Sequence, residues 1–259
     1  MQFGVCTSAS NSRAVHAIGW DFIEENVQRF LSPTVDDDSW PASSVRAFKE
    51  LPIPAANNLV PRELKIVGPD INEDALQVYM TRAINRAAQA GVTMLVFGSS
   101  GARHVPDGFD PAVARGQIIS CLKMSAEIAH RAGLLIVIEP LSRFETNIIN
   151  TIAEACDIAS TVAHSNVKCL VDTYHFWMQD DSMVDLASAI PHIRHVHVAD
   201  KDGRTAPGRT GKSDYLPIFK CLKQGGYAGR ISVESPKFSG TEIHAEDVLK
   251  YLRRAWDAA

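Results

Sequence analysis

No stretch of this chain has the length of apolar residues that a membrane-crossing helix needs. The longest such run, around Leu134–Ile138, falls far short of the roughly 20 residues required. The opening Met1-Gln2-Phe3-Gly4 has neither the basic flank nor the apolar centre of a secretory leader. No Cys-x-x-Cys pair occurs, and Cys6, Cys121, Cys156, Cys169 and Cys221 are scattered, which argues against a zinc ribbon or a disulfide framework. They read as reduced, mostly buried thiols of a cytoplasmic protein. Blocks of like charge are also missing: 26 Lys+Arg face 30 Asp+Glu, a net charge of −4. Neither a nucleic acid nor a membrane surface is therefore an expected partner. The first strand is not followed by Gly-x-Gly-x-x-Gly, so a dinucleotide fold has no support.

What the chain does have is a recurring unit: a short β-branched apolar run, a polar loop, then an amphipathic helical pattern. The clearest runs are Val92–Phe97, Leu134–Ile138, Val167–Val171, Ile193–Val198 and Arg230–Val233. Between them, residues such as Ile118, Leu122, Ser125, Ala126 and Ala129 recur at helical spacing. Gly91, Gly133 and Gly225-Gly226 mark helix ends just before strands. Earlier runs at Phe3–Cys6, Trp20–Ile23 and Leu51–Ala55 bring the strand count to eight, although the second also fits a helix starting at Trp20. Apolar strands alternating with helices imply a parallel sheet covered on both faces. Eight such units in 259 residues predict an α/β fold, one (β/α)8 TIM barrel domain spanning residues 1–259.

In such a barrel, functional groups project from the C-terminal strand ends. Leu134–Ile138 runs into Glu139, Val167–Val171 into Asp172 with His175 three residues on, and Arg230–Val233 into Glu234. Ile193–Val198 carries His195 and His197. Two Glu, one Asp and one His at four successive strand ends are predicted to converge on the barrel axis. Three converging carboxylates repel one another unless a positive charge compensates them. A single divalent metal does so, and this shell suits Mn²⁺ first, with Mg²⁺ or Co²⁺ able to substitute.

The segments Ile138-Glu139-Pro140-Leu141-Ser142-Arg143-Phe144-Glu145, Val171-Asp172-Thr173-Tyr174-His175, His195-Val196-His197-Val198-Ala199-Asp200 and Ser232-Val233-Glu234 resemble the xylose isomerase-like sugar isomerase/epimerase superfamily. Within it they are most similar to the branch of D-tagatose and D-psicose 3-epimerases and hydroxypyruvate isomerases. The similarity runs from about Ala83 to Glu234. It implies that Glu139, Asp172, His197 and Glu234 bind one divalent metal, and that Glu139 and Glu234 transfer protons from opposite faces of the substrate. It further implies that His175 and Glu145 hydrogen-bond substrate oxygens. Arg204 is the counterpart of an arginine that steadies the substrate, one residue out of the usual register, and Ser142 stands where relatives often carry Asn. A small-molecule sugar substrate and a homo-oligomer, dimer or tetramer, are the implied partners.

The implied activity is epimerisation or isomerisation of an unphosphorylated sugar or polyhydroxy ketone, by proton removal next to a carbonyl through an enediolate. A non-catalytic sugar-binding or partner subunit on the same scaffold is one alternative. An AP endonuclease-like enzyme is another, disfavoured because Ala55-Ala56-Asn57-Asn58 and Phe97-Gly98-Ser99-Ser100 offer no histidines for further zinc ions. His195 is expected in the barrel interior or behind the ligands. Other candidates are Asn57-Asn58 as partners of sugar hydroxyls, Phe176 and Trp177 as pocket wall or helix packing, and His104 as pocket lining or a solvated turn. His16, His130, His164, His192 and His244 are expected at the surface.

Overall fold

The computed structural model describes residues 1–40, 50–179 and 181–259. Its strands are β1 (Gln2–Cys6), β2 (Phe22–Asn26), β3 (Ala55–Asn57), β4 (Met94–Phe97), β5 (Leu135–Ile138), β6 (Val167–Asp172), β7 (Ile193–Val198) and β8 (Arg230–Val233). All pair in parallel in chain order, and β8 returns to β1 from Gln2↔Arg230 to Val5↔Val233, closing the barrel. Around it run α1 (Ser12–Ile18), α2 (Val27–Phe30), α3 (Glu73–Ala90), α4 (Ser100–Arg103), α5 (Pro111–Ala132), α6 (Ile152–Val162), α7 (Thr173–Met178), α8 (Met183–Ala189), α9 (Leu216–Gln224) and α10 (Ala245–Asp257).

The helices begin and end where local chemistry directs. The side chain of Asn72 caps α3 by accepting from the Ala75 N–H, and Asp110 caps α5 by accepting from Ala112, just ahead of Pro111. Gly91 and Gly133 close the same two helices at φ of 80° and 72°, a left-handed turn that a Cβ would strain.

Strand alternation decides what faces the axis. The outward residues, among them Phe3, Val5, Leu95, Ile136, Val171 and Val196, pack into the large core under the helices. A separate small cluster of Ala55, Met94, Val96, Val137 and Leu170 fills the barrel interior. Two residues further along each strand, on the same inward face, come Gly98, Glu139 and Asp172. The cross-strand pairs Leu170↔His195 and Asp172↔His197, then His195↔Arg230 and His197↔Ser232, carry the inward face on to β7 and β8. Apolar residues therefore plug the lower barrel while polar ones crowd its C-terminal mouth.

Two strands differ from their sequence expectation. The second lies at Phe22–Asn26 rather than Trp20–Ile23, because the strand continues through Glu24 and Glu25, which are buried within it. Trp20 precedes it and packs edge-on against Phe238 at 6.1 Å. The third lies at Ala55–Asn57 rather than Leu51–Ala55. Pro52 and Pro54 supply carbonyls to Ile23 and Thr93 but have no N–H to donate. The five cysteines are free, with Cys121 and Cys169 buried and the others half-buried. Among the described residues no helix is long and apolar enough to cross a membrane.

Candidate active site

The strand-end residues meet. One donor atom each from Glu139, Asp172, His197 and Glu234 lies within 4.8 Å of all the others. His197 Nδ1 is 3.0 Å from Glu139 Oε1 and 3.4 Å from Glu234 Oε2. Glu139 follows β5 and Glu234 follows β8, so the two carboxylates reach this point from separated sectors of the barrel. Asp172 ends β6 and also caps α7, where Oδ1 accepts from the Tyr174 N–H at 2.7 Å. Its Oδ2 accepts from Arg204 instead.

The environment separates the two glutamates. Burial, reinforced by the Glu234 charge, raises the Glu139 carboxyl above its ordinary value. Burial also acts to raise Glu234, but His197 and Arg204 outweigh it and hold that carboxyl at about 2. Burial acts to lower the His197 imidazole, yet Glu24, Glu234 and Glu139 together drive it well up. The cluster is thus rich in negative charge and demands cations.

Arg204 supplies part of that charge. Its Nη2 is 3.1 Å from Asp172 Oδ2 and also bonds Glu234 Oε2, while Nη1 is 3.3 Å from Glu145 Oε1. The guanidinium lies over the Tyr174 ring, 5.0 Å from its centroid. Its backbone is left-handed at φ 49°, and the Arg204 carbonyl accepts from Ser235 Oγ at 2.7 Å. Buried Asp200 anchors the rest of this loop through Gly208, Thr210 and Tyr215. Held in this way, the Arg204 side chain reaches the carboxylate cluster.

His175 presents a donor. Its Nδ1 accepts from the Ser142 backbone N–H at 3.0 Å, so the neutral ring carries its proton on Nε2. Among the described residues that atom is buried without a hydrogen-bond partner, 3.8 Å from both Asp172 Oδ2 and Glu145 Oε1. The Ser142 position thus serves through its backbone. Asn57 Nδ2 donates to Glu234 Oε1 at 2.9 Å, and Asn58 Nδ2 donates to Asn57 Oδ1 at 3.2 Å.

Behind Glu139, the buried Arg103 binds the carbonyls of Phe97 at 3.0 Å, Glu139 at 2.8 Å and Ile149 at 3.4 Å. It locks the ends of β4 and β5 to a loop in which Ile149 is held at φ 57°, strained for a β-branched residue. At Gly98 an added Cβ would overlap Glu139 Oε2. Glycine there gives the carboxylate its room.

The mouth opens into a cavity of about 680 Å³, whose wall includes Cys6, Ser8, Asn26, Asn58, Arg204 and Glu234. His195 lies in the barrel interior, 2.7 Å from Glu24 Oε2. His104 is exposed in the extended segment just after α4. Phe176 is buried in the helical core and Trp177 packs on Tyr215 at 5.2 Å, so both serve helix packing. His16 and His130 are exposed, while His164, His192 and His244 are half-buried. The sequence reading missed Glu24, which bonds both inward histidines. The signal available was the pair of acidic residues beside an apolar run with an ambiguous period.

The chain matches the family described as xylose isomerase-like TIM barrel over residues 12–255. It is 32% identical over 117 residues to D-psicose 3-epimerase of Ruminiclostridium cellulolyticum, covering 45% of this chain and 39% of that protein. It is 27% identical over 164 residues to a putative hydroxypyruvate isomerase of Mus musculus, covering 60% of this chain and 58% of that protein. The matched segments thus span less than two thirds of either relative. In its overall path the chain is similar to the crystal structure of D-psicose 3-epimerase with D-tagatose from Clostridium cellulolyticum H10, with a TM-score of 0.86 over 99% of both chains at 19% identity. With all but the two ends of the chain matched, it belongs to the xylose isomerase-like TIM barrel family.

Proposed function

We propose that this chain is a divalent-metal-dependent epimerase or isomerase of an unphosphorylated sugar or related polyhydroxy ketone. The observation that carries the reading is the convergence of Glu139, Asp172, His197 and Glu234 donor atoms within 4.8 Å. The donor set fits a hard cation: three carboxylates and one imidazole, with no thiolate among the four. Their charge exceeds what the one guanidinium of Arg204 balances. These four residues would hold the ion, with Mn²⁺ the first choice and Mg²⁺ or Co²⁺ as substitutes. When bound, it supplies Lewis acidity that stabilises negative charge growing on substrate oxygens beside the reacting carbon.

The remaining chemistry belongs to the protein. Glu139 and Glu234 are the proton-transfer pair, one taking the proton from the carbon next to the carbonyl, the other returning it. Return to the same carbon from the other face gives an epimer; return to its neighbour interconverts aldose and ketose. The His175 Nε2–H, without a hydrogen-bond partner among the described residues, donates to a substrate oxygen, and Glu145 and Arg204 orient the hydroxyls alongside. Asn26, Asn57 and Asn58 line the cavity as neutral polar groups, suited to hydroxyls. Arg29 is already paired with Glu25 at 2.7 Å, which weakens any case for a phosphate clamp. Simple sugar binding has no use for two opposed acid/base carboxylates, which favours catalysis over a binding role.

The test is to load the protein with Mn²⁺, offer a panel of ketohexoses in deuterated water, and follow optical rotation and deuterium uptake. Turnover with exchange at one carbon is expected. Absence of both with every ketose and every divalent ion would overturn the reading.

A further inference from the structure

We infer that Glu24 is a positioning residue that sets the tautomer and orientation of His197 for the cation site. This inference rests on the reading just proposed. Glu24 lies on β2, paired in register with Cys6 on one side and Ala55 on the other, and is 1% exposed. Its Oε1 is 2.9 Å from His197 Nε2 and its Oε2 is 2.7 Å from His195 Nε2. Glu25, one residue on, serves the Ala9 N–H and Arg29 instead, as the alternation of a strand requires.

The bond pattern has one consequence for each ring. An ionised carboxylate can only accept, so both Nε2 atoms must carry the proton. In a neutral His197 this places the lone pair on Nδ1, the atom beside Glu139 and Glu234. Glu24 therefore turns His197 into a ligand aimed at the carboxylate cluster, as a carboxylate behind a metal-bound histidine commonly does. His195 has a supporting part. It occupies the second carboxylate oxygen, lies near-perpendicular to His197 at 82°, and has Ser232 Oγ 3.2 Å from the same Nε2. Held at both oxygens inside a packed barrel, Glu24 cannot rotate away from His197. His195 is thereby engaged with Glu24, and it is not a spare ligand.

The experiment compares wild type with Glu24→Gln and Glu24→Asp. Gln keeps the shape without the charge; Asp is too short to span both rings. Mn²⁺ titration by calorimetry should show a 10- to 100-fold weaker Kd in both variants, about the effect of removing such a supporting group. Saturating Mn²⁺ should restore most of kcat, with the sugar KM little changed. Unaltered Mn²⁺ affinity in variants that retain the wild-type circular dichroism would overturn the assignment. Nitrogen-15 NMR of the wild-type protein loaded with diamagnetic Mg²⁺ tests it without any variant. The Nε2–H tautomer of His197 supports the role, and the Nδ1–H tautomer overturns it. Wild type that binds no divalent ion overturns the parent reading as well, whereas wild type that binds Mn²⁺ and turns over beside unaffected variants overturns the Glu24 role alone.

Discussion

The Ser142 backbone N–H donates to His175 Nδ1 at 3.0 Å, from the loop after β5 to the first turn of α7. One main-chain bond thereby determines which nitrogen of His175 can donate toward Asp172 and Glu145. The opposite edge of that ring lies 3.8 Å from oxygens of both Asp172 and Glu145. An imidazole prepared in this way is a hydrogen-bond donor awaiting an acceptor.

Replacing His175 by Ala should lower kcat/KM about 10- to 100-fold, the usual worth of a hydrogen bond to a group bearing charge. Mn²⁺ affinity should stay close to wild type. Steady-state kinetics paired with metal titration separates the two effects, and loss of the ion would show that His175 belongs to the metal shell.

Gly98→Ala places a methyl against Glu139 Oε2. The end of the Glu139 side chain can shift, so the barrel should still fold with a near-native melting temperature. Activity should fall about 100-fold, since a displacement of about 1 Å in a reacting group costs that much. A fully active, fully folded Gly98→Ala protein would remove Glu139 from the chemistry.

Glu234→Gln should keep some metal but lose proton exchange at the substrate carbon, a loss of about 10²- to 10⁴-fold for an acid/base group. Deuterium incorporation into product, followed by NMR, reads this directly. Persistent exchange at the wild-type rate would count against the assigned role.

Asp181 gives a pH effect away from the mouth. Burial raises its carboxyl to about 6, against the opposing Ile152 N–H at 3.3 Å and with the charges of Asp185 and Glu154 adding to the rise. The folded state then holds the proton more tightly than the unfolded chain, whose Asp titrates near about 3.9. Its stabilising contribution is full below that value and is lost as pH climbs to about 6. Melting temperature measured from pH 4 to 7 should fall more steeply for wild type than for Asp181→Asn. Parallel curves for the two proteins would contradict the shift.

Much of the late barrel was legible because its signals are local. Leu134–Ile138, Val167–Val171 and Arg230–Val233 are apolar runs that end in an acidic residue, and the strand pattern itself says where Glu139, Asp172 and Glu234 must lie. The early barrel was harder to read. Pro52 and Pro54 broke the run leading into β3, and Glu24 and Glu25 gave the β2 segment the polarity of a loop. A carboxylate inside a strand is costly unless paired, and nothing near Glu24 in the sequence announces partners 171 and 173 residues away.

Alternation of β and α patterns, helix ends at Gly91 and Gly133, and four polar residues closing successive strands are properties of short segments, so the order of residues alone determined them. Which histidine nitrogen faces which carboxylate was decided only when β1 met β8 and the barrel closed. The same closure let Arg204 span Asp172, Glu234 and Glu145, and brought Glu24 behind His197. Those relations join strands on different sides of an axis, where distance depends on register and strand tilt around the whole ring.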